Sequence, residues 1–387
     1  MTTFIEDSPR SFQAQWMKEA CDLGDAEAVV LSPWLSPYPH RGGSGLKPGL
    51  IERTDELRGY GVEFWFDPMT HVHDMPGTRD YNYYSGYDLW GGTVADLTDG
   101  ALRSEHVRKV FAVQDEIGAR HLAPAPLLPT GLSTLSTISL DLARLALDID
   151  PDAWLTISGL GPFWADGADL DAHIGSLAAL TPGGWFLSFA QPTNDQPAPL
   201  TADQVFGICR TVRALSEHAP VYISHGDFAG LPAVAAGAFA VGTGWDKRQR
   251  VLSFQDYTLR ETEGQGRWFT RPTLGGLTAH IPDRDGELLR ARDAVLAASL
   301  GGLPAAPGAR AAFSHHVNAL SGIVARVVGA NQSYEARART LDAIYTDART
   351  NWGSLRSSIG VRDDAGPWIS PFQEGLRRYA TSEGWTL

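Results

Sequence analysis

The sequence predicts an α/β fold, a (β/α)8 TIM-like barrel with additional C-terminal helices. Short apolar segments rich in β-branched and aromatic residues recur along the chain, amphipathic stretches of crossover length separate them, and strand signals stop beyond Asp285. At 387 residues the chain accommodates one barrel of roughly 250 residues plus an appendage. The expected division is a catalytic barrel over 1–284 and a helical extension packed on it over 285–387.

Seven strands are expected, at 28–34, 62–67, 121–127, 154–158, 185–189, 221–224 and 239–243. The eighth is sought between Val251 and Ile281, where Gly264, Gly266, Pro272, Gly275 and Gly276 break any simple period. Crossover helices are expected at 50–58, 102–117, 135–147, 203–216 and 231–236, and helices of the extension at 288–300, 310–328 and 334–350.

A hydrophobic content of 43% and a charged content of 20% suffice to bury a core without disulfides or structural metal. Cys21 and Cys209 form no local metal or redox spacing and nothing requires an oxidising compartment, so a cytoplasmic setting fits; no cofactor or metal is expected in the leading reading. The N-terminus carries Glu6 and Asp7 rather than a basic leader, and no apolar run reaches the roughly 20 residues of a membrane helix. A net charge of −13 argues against a protein coated in nucleic acid, and leaves local basic clusters as the route to phosphate. The densest is Lys247, Arg248 and Arg250, with Arg267 and Arg271 further along.

Polar residues just past the carboxyl ends of barrel strands line the active site. After the first expected strand comes a proline-stiffened loop, Ser32 to Gly43, with aromatic and basic groups including Arg41. The second delivers Asp67 from the apolar run Phe64-Trp65-Phe66, where partial desolvation tunes a carboxylate for acid–base work. His71 and His73 follow as a possible metal pair that needs a further ligand from His225, His280 or Asp246. Next is a loop dense in rings, Tyr81, Tyr83, Tyr84, Tyr87 and Trp90, suited either to stacking on a base or sugar or to packing on its own barrel. Late strand ends offer His225 with Asp227, then Trp245 with Asp246 and Lys247, among glycines that let backbone approach a ligand. Asp227 and Asp246 are the candidate second carboxylates opposite Asp67, as glycosidic chemistry requires. His315 and His316 fall on an expected helix and read as structural.

This order of features resembles the tRNA-guanine transglycosylase superfamily and its DNA-acting relatives, including glycosylases of phage defence. The resemblance spans 28–328: a strand ending in Asp67, an Ala-Ala-Gly segment at 235–237 feeding a strand, Arg248 and Arg250 beyond it, then helices around His315. It implies acid–base work for Asp67, phosphate contacts for Arg248 and Arg250, and aromatic side chains near Tyr81 to Trp90 that receive a displaced base, and Arg41 and Lys247 are further candidates for nucleic-acid contact. The later strand Phe239-Ala240-Val241-Gly242-Thr243 holds no aspartate, and the family's cysteine zinc cluster is absent from the sequence. Hydrolytic removal of a base, from DNA in particular, therefore accords better with these residues than base exchange. Two alternatives stand beside it: a metal-dependent amidohydrolase-like enzyme using His71 and His73, and a non-catalytic nucleotide- or carbohydrate-binding module.

Overall fold

The computed structural model describes residues 2–7, 13–42, 45–78, 84–258, 271–329, 332–361 and 366–387. Eight parallel strands form one sheet: β1 (Thr2–Glu6), β2 (Ala28–Leu31), β3 (Glu63–Phe66), β4 (Leu127–Leu128), β5 (Trp154–Leu160), β6 (Gly184–Ala190), β7 (Val221–Ser224) and β8 (Ala240–Thr243). Their order is β3-β2-β1-β8-β7-β6-β5-β4. The segment entering β4 closes the circle, because Arg120 bridges to Trp65 on β3 and Leu122 bridges to Trp154 on β5. The chain is thus a (β/α)8 barrel with further helices at its C-terminal end.

The eighth strand is not where the sequence suggested. It is β1, at the N-terminus, paired with β2 through Phe4 and Ala28 and with β8 through Phe4 and Gly242. Among the described residues, the stretch between Val251 and Ile281 contributes a two-residue ladder, Thr273–Leu274 against Ala279–His280, outside the main sheet, and isolated bridges from Ser253 to Gln191 and from Thr258 to Thr78. Gly275 and Gly276 turn the chain there before a third ladder position can form.

Helices Leu50–Gly59, Gly100–Glu116, Thr134–Ile149, Ala202–Leu215 and Leu231–Ala236 occupy the expected crossovers, joined by Ala168–Ala178. Their starts are chemically marked: Asp99, Ser133 and Thr201 each accept a backbone N–H of the first turn. Beyond the barrel lie Asp283–Arg292, Ala294–Ser299, Ala309–Val328, Tyr334–Ile359 and an additional helix, Ile369–Ser382. Ala309–Val328 packs on β1, and Ile369–Ser382 packs on Ala202–Leu215. No helix among the described residues is long and apolar enough to cross a membrane.

The barrel interior is layered. Phe4, Val30, Trp65, Leu122, Trp154, Phe186, Tyr222 and Ala240 form one buried cluster distinct from the core under the helices. The rings of Trp65 and Tyr222 lie 5.3 Å apart edge-on, and those of Phe4 and Tyr222 stack at 5.4 Å. This aromatic plug shuts the interior, so chemistry must occur above it. Because strand side chains alternate with period two, the next inward positions are Glu6, Asp67, Ser188, Ser224 and Gly242.

Candidate active site

The layer above the plug is polar and nearly closed to water. Glu6 leaves β1 and is buried; its Oε1 accepts hydrogen bonds from Ser224 Oγ at 2.8 Å and from the His225 backbone N–H at 2.9 Å. Its Oε2 lies 3.9 Å from His225 Nε2. Gly242 makes room for this carboxylate, since a Cβ there would sit 2.6 Å from Glu6 Oε1 and 2.7 Å from the Phe4 ring. Gln249 also anchors the strand end by donating from Nε2 to the Glu6 carbonyl.

Asp67 leaves β3 and is buried as well. Its Oδ1 accepts the Met69 N–H at 2.7 Å, while Oδ2 has no hydrogen-bond partner among the described residues. Met69 and His225, beside the two carboxylates, hold left-handed backbone with φ of 52° and 51°. Such conformations cost about 1–3 kcal/mol each outside glycine and gather at functional sites. The opposite wall carries Ser158 and Ser188, hydrogen-bonded to each other at 2.7 Å.

The electrostatics favour protons here. Burial pushes the Asp67 carboxyl up to about 6, against opposing pulls from the Met69 N–H and the nearby His225. Burial also raises Glu6; His225 and Ser224 oppose the rise, and the charge of Asp67 adds to it. His71 is buried with Nε2 unpaired, and burial, with the charge of His225, lowers it to about 3. Its imidazole is therefore neutral. Glu6, Asp7, Ser32, Trp34, His225, Asp246 and Arg248 border a narrow cleft with room for about one water.

No family model and no curated protein matches the chain. Among solved structures it is similar to a psychrophilic glycoside hydrolase family 10 endo-β-1,4-xylanase. That likeness has a TM-score of 0.36 and 8% identity, over 62% of this chain and 85% of that one.

The residues singled out by sequence fall into three groups. Asp67, His71, His225, Asp246 and Arg248 gather at the mouth, and Glu6, Ser224, Gly242 and Gln249 join them without having been singled out. Asp246 caps the short helix Lys247–Arg250 by accepting the Arg248 N–H at 3.1 Å, which makes it a rim residue. The Arg248 guanidinium lies 4.5 Å from the Trp34 ring, and half-buried Lys247 lies near Arg271.

The second group is packed away. Tyr84, Tyr87 and Trp90 are buried: Trp90 stacks on His106 at 3.8 Å and donates to Tyr84 Oη at 3.0 Å, while Tyr87 donates to the Leu35 carbonyl at 3.0 Å. They form a wall rather than an open stacking surface. Trp245 is buried against Trp16 at 4.9 Å, Arg41 is exposed on the hairpin His40–Gly42, and Tyr81, Tyr83 and Arg267 lie outside the described residues. His73 packs on Tyr84 at 4.2 Å, on a different side from His71 and His225. The two histidines therefore do not converge as a pair.

The third group is a separate centre on the outer side of the barrel wall. Asp227, just past β7, faces His280, His316 and Arg250 rather than Asp67. Its Oδ2 is 3.6 Å from His280 Nε2 and its Oδ1 is 3.4 Å from His316 Nε2. Burial alone would raise the Asp227 carboxyl, but His316, His280 and Arg250 outweigh it and hold it well below the usual carboxylate range. Arg250 is buried and donates from Nε to the Gly244 carbonyl at 2.8 Å, so it is not a phosphate hook. Among the described residues, Asp227, His280 and His316 are the one set of three such side chains whose donor atoms all lie within 4.8 Å of one another.

Proposed function

We propose that this chain hydrolyses glycosidic bonds at the barrel mouth, with Glu6 and Asp67 as the reacting carboxylates. The observation that carries the reading is this pair: two buried acids at the ends of β1 and β3, both with raised proton affinity, and the charge of Asp67 felt by Glu6. Two carboxyl groups driven to different protonation states are what acid–carboxylate catalysis requires. Burial, with a smaller addition from the charge of Asp67, raises the Glu6 carboxyl, so Glu6 takes the part of the acid and Asp67 that of the anion. Oε1 of Glu6 is occupied by two donors, so Oε2 carries the proton.

In this reaction Glu6 protonates the leaving group as its bond to the anomeric carbon breaks, and the bonding electrons depart with that group. Asp67 Oδ2 steadies the oxocarbenium-like sugar and takes a proton from the water that adds to it. His225, held beside both carboxylates, is placed to return that proton to Glu6.

The finer reading is that the scissile bond joins a nucleic-acid base to its sugar. Its support is local: Lys247, Arg248 and Arg271 put positive charge beside the cleft of a chain whose net charge is −13, and Trp34 supplies a ring at the same rim. Incubation with normal and modified DNA, RNA, and aryl O-glycosides tests both levels. Alkali-labile abasic sites made by the wild type and not by Asp67→Asn support the base reading. Release only from O-glycosides retains the carboxylate chemistry and removes the nucleic-acid substrate, and no release from any of them overturns the proposal.

A further inference from the structure

The outer-wall centre does something the barrel mouth does not need. We propose that Asp227, His280 and His316 bind a divalent transition metal of the zinc class, stapling the C-terminal helices to the barrel. The three ligands come from three places: the loop after β7, the Ala279–His280 ladder strand, and the helix Ala309–Val328. All three are buried, and Asp227 has no hydrogen bond of normal geometry, only ion-pair contacts of 3.4, 3.6 and 3.9 Å to His316, His280 and Arg250. A buried carboxylate left that way is costly unless something else satisfies it.

The spacing suits an ion. Zinc bonds of about 2.0–2.1 Å in a tetrahedron set neighbouring donor atoms about 3.3–3.4 Å apart. His316 Nε2 lies 3.4 Å from Asp227 Oδ1 and His280 Nε2 lies 3.6 Å from Asp227 Oδ2, and with one atom taken from each residue the three donors all lie within 4.8 Å of one another. The donor set, two imidazoles and one carboxylate, is a zinc-class set. Thr273 orients both rings, since its Oγ1 lies 2.9 Å from Nδ1 of His280 and 2.9 Å from Nδ1 of His316. With an ion bound, both rings would donate Nδ1–H to that oxygen and turn their Nε2 lone pairs to the metal. Thr243 Oγ1 lies 2.8 Å from His316 Nε2, a hydrogen bond that an ion at that nitrogen must displace.

Arg250 opposes the ion more strongly, because it is charged. Arg250 donates from Nη1 to His280 Nε2 at 2.9 Å, so a metal must displace that bond. The guanidinium keeps its anchor on the Gly244 carbonyl, and the nearby Asp246 offsets its charge. Counting Asp227, Asp246 with its partner Arg248, Arg250 and a divalent ion leaves a net charge of about +2, one above that of an ordinary two-histidine, one-carboxylate site.

The test uses the full chain, stripped with chelator and then titrated with Zn²⁺ and with Co²⁺. One equivalent of zinc by elemental analysis, a melting temperature several degrees higher with zinc, and the visible bands of tetrahedral cobalt are expected. His316→Ala should lose all three. Should that variant not fold, Thr273→Val is read instead, with zinc affinity expected to fall 10–100-fold. Arg250→Gln, which removes the competitor, should bind zinc at least as tightly as the wild type. The proposal is overturned if the wild type takes up no zinc, if uptake persists unchanged in His316→Ala, or if Thr273→Val binds as the wild type does.

Discussion

Asp67 and Asp227 are both buried aspartates at the ends of barrel strands, yet their surroundings drive them in opposite directions. Asp67 has one donor on Oδ1 and an open Oδ2, and burial lifts its carboxyl to about 6. Asp227 stands among two imidazoles and a guanidinium that pull its carboxyl well down. The contrast teaches that burial does not by itself make a carboxylate reactive. A strand-end acid is poised for proton transfer where burial exceeds its compensation, and is a fixed anion where compensation exceeds burial.

Breaking the comparison at its reactive end gives the largest effect. Asp67→Asn should lower the hydrolytic rate by about 10³-fold, within the range for removing a catalytic acid or base. The same change should stabilise the fold at pH 8. Because folding raises this carboxyl, the folded state gains most from Asp67 below its ordinary value of 3.8 and loses that gain as the pH rises through about 6. The loss is on the order of 3 kcal/mol at high pH. Denaturant melts of both forms at pH 4 and pH 8 measure it; equal stability of the two forms at pH 8 would contradict it.

Asp227→Asn should behave in the opposite sense. It leaves Arg250 buried without its carboxylate and should cost about 3 kcal/mol at pH 7. A depressed carboxyl contributes stability that is present above 3.8 and lost as the pH falls towards its lower folded value. The gap between wild type and Asp227→Asn in urea midpoint should therefore close on acidification. A gap that widened would mean the two aspartates were not opposites.

Gly242→Ala probes the room made for Glu6. The added methyl meets Glu6 Oε1 and the Phe4 ring, so activity should fall about 10-fold with a stability cost of about 1–3 kcal/mol. Arg248→Ala should have the smallest effect, loss of a cation–π contact worth about 0.5–1 kcal/mol with Trp34, seen as a higher KM at unchanged kcat.

The contrast was half legible in the sequence. Asp67 stood out because Phe64-Trp65-Phe66 delivers it directly from an apolar strand. Glu6 did not, because Thr2–Glu6 is five residues long, starts with two threonines, and lies ahead of the first long apolar run. A usable signal existed: Phe4 and Glu6 stand two apart, as do Trp65 and Asp67, Phe186 and Ser188, and Tyr222 and Ser224. That shared step is the barrel's aromatic layer followed by its polar one.

The centre around Asp227 was illegible for a different reason. His280 and His316 lie on a two-residue ladder strand and a distant helix, and only packing of the extension brings them to the β7 loop. Composition likewise marked Tyr84, Tyr87 and Trp90 as aromatic without revealing which faces were covered. Trp90 is covered by His106 from the helix Gly100–Glu116, a contact no local pattern encodes.

The central claim is that Asp67 and Glu6 form a coupled, proton-rich pair at the barrel mouth. Titrating their side-chain carboxyl carbons by ¹³C NMR, in the wild type and in Asp67→Asn, tests it without knowing the substrate. An Asp67 midpoint of about 6 is expected, with a Glu6 midpoint above 4.5 that falls when Asp67 is replaced. An Asp67 midpoint near 3.8, or a Glu6 midpoint indifferent to Asp67→Asn, would contradict it.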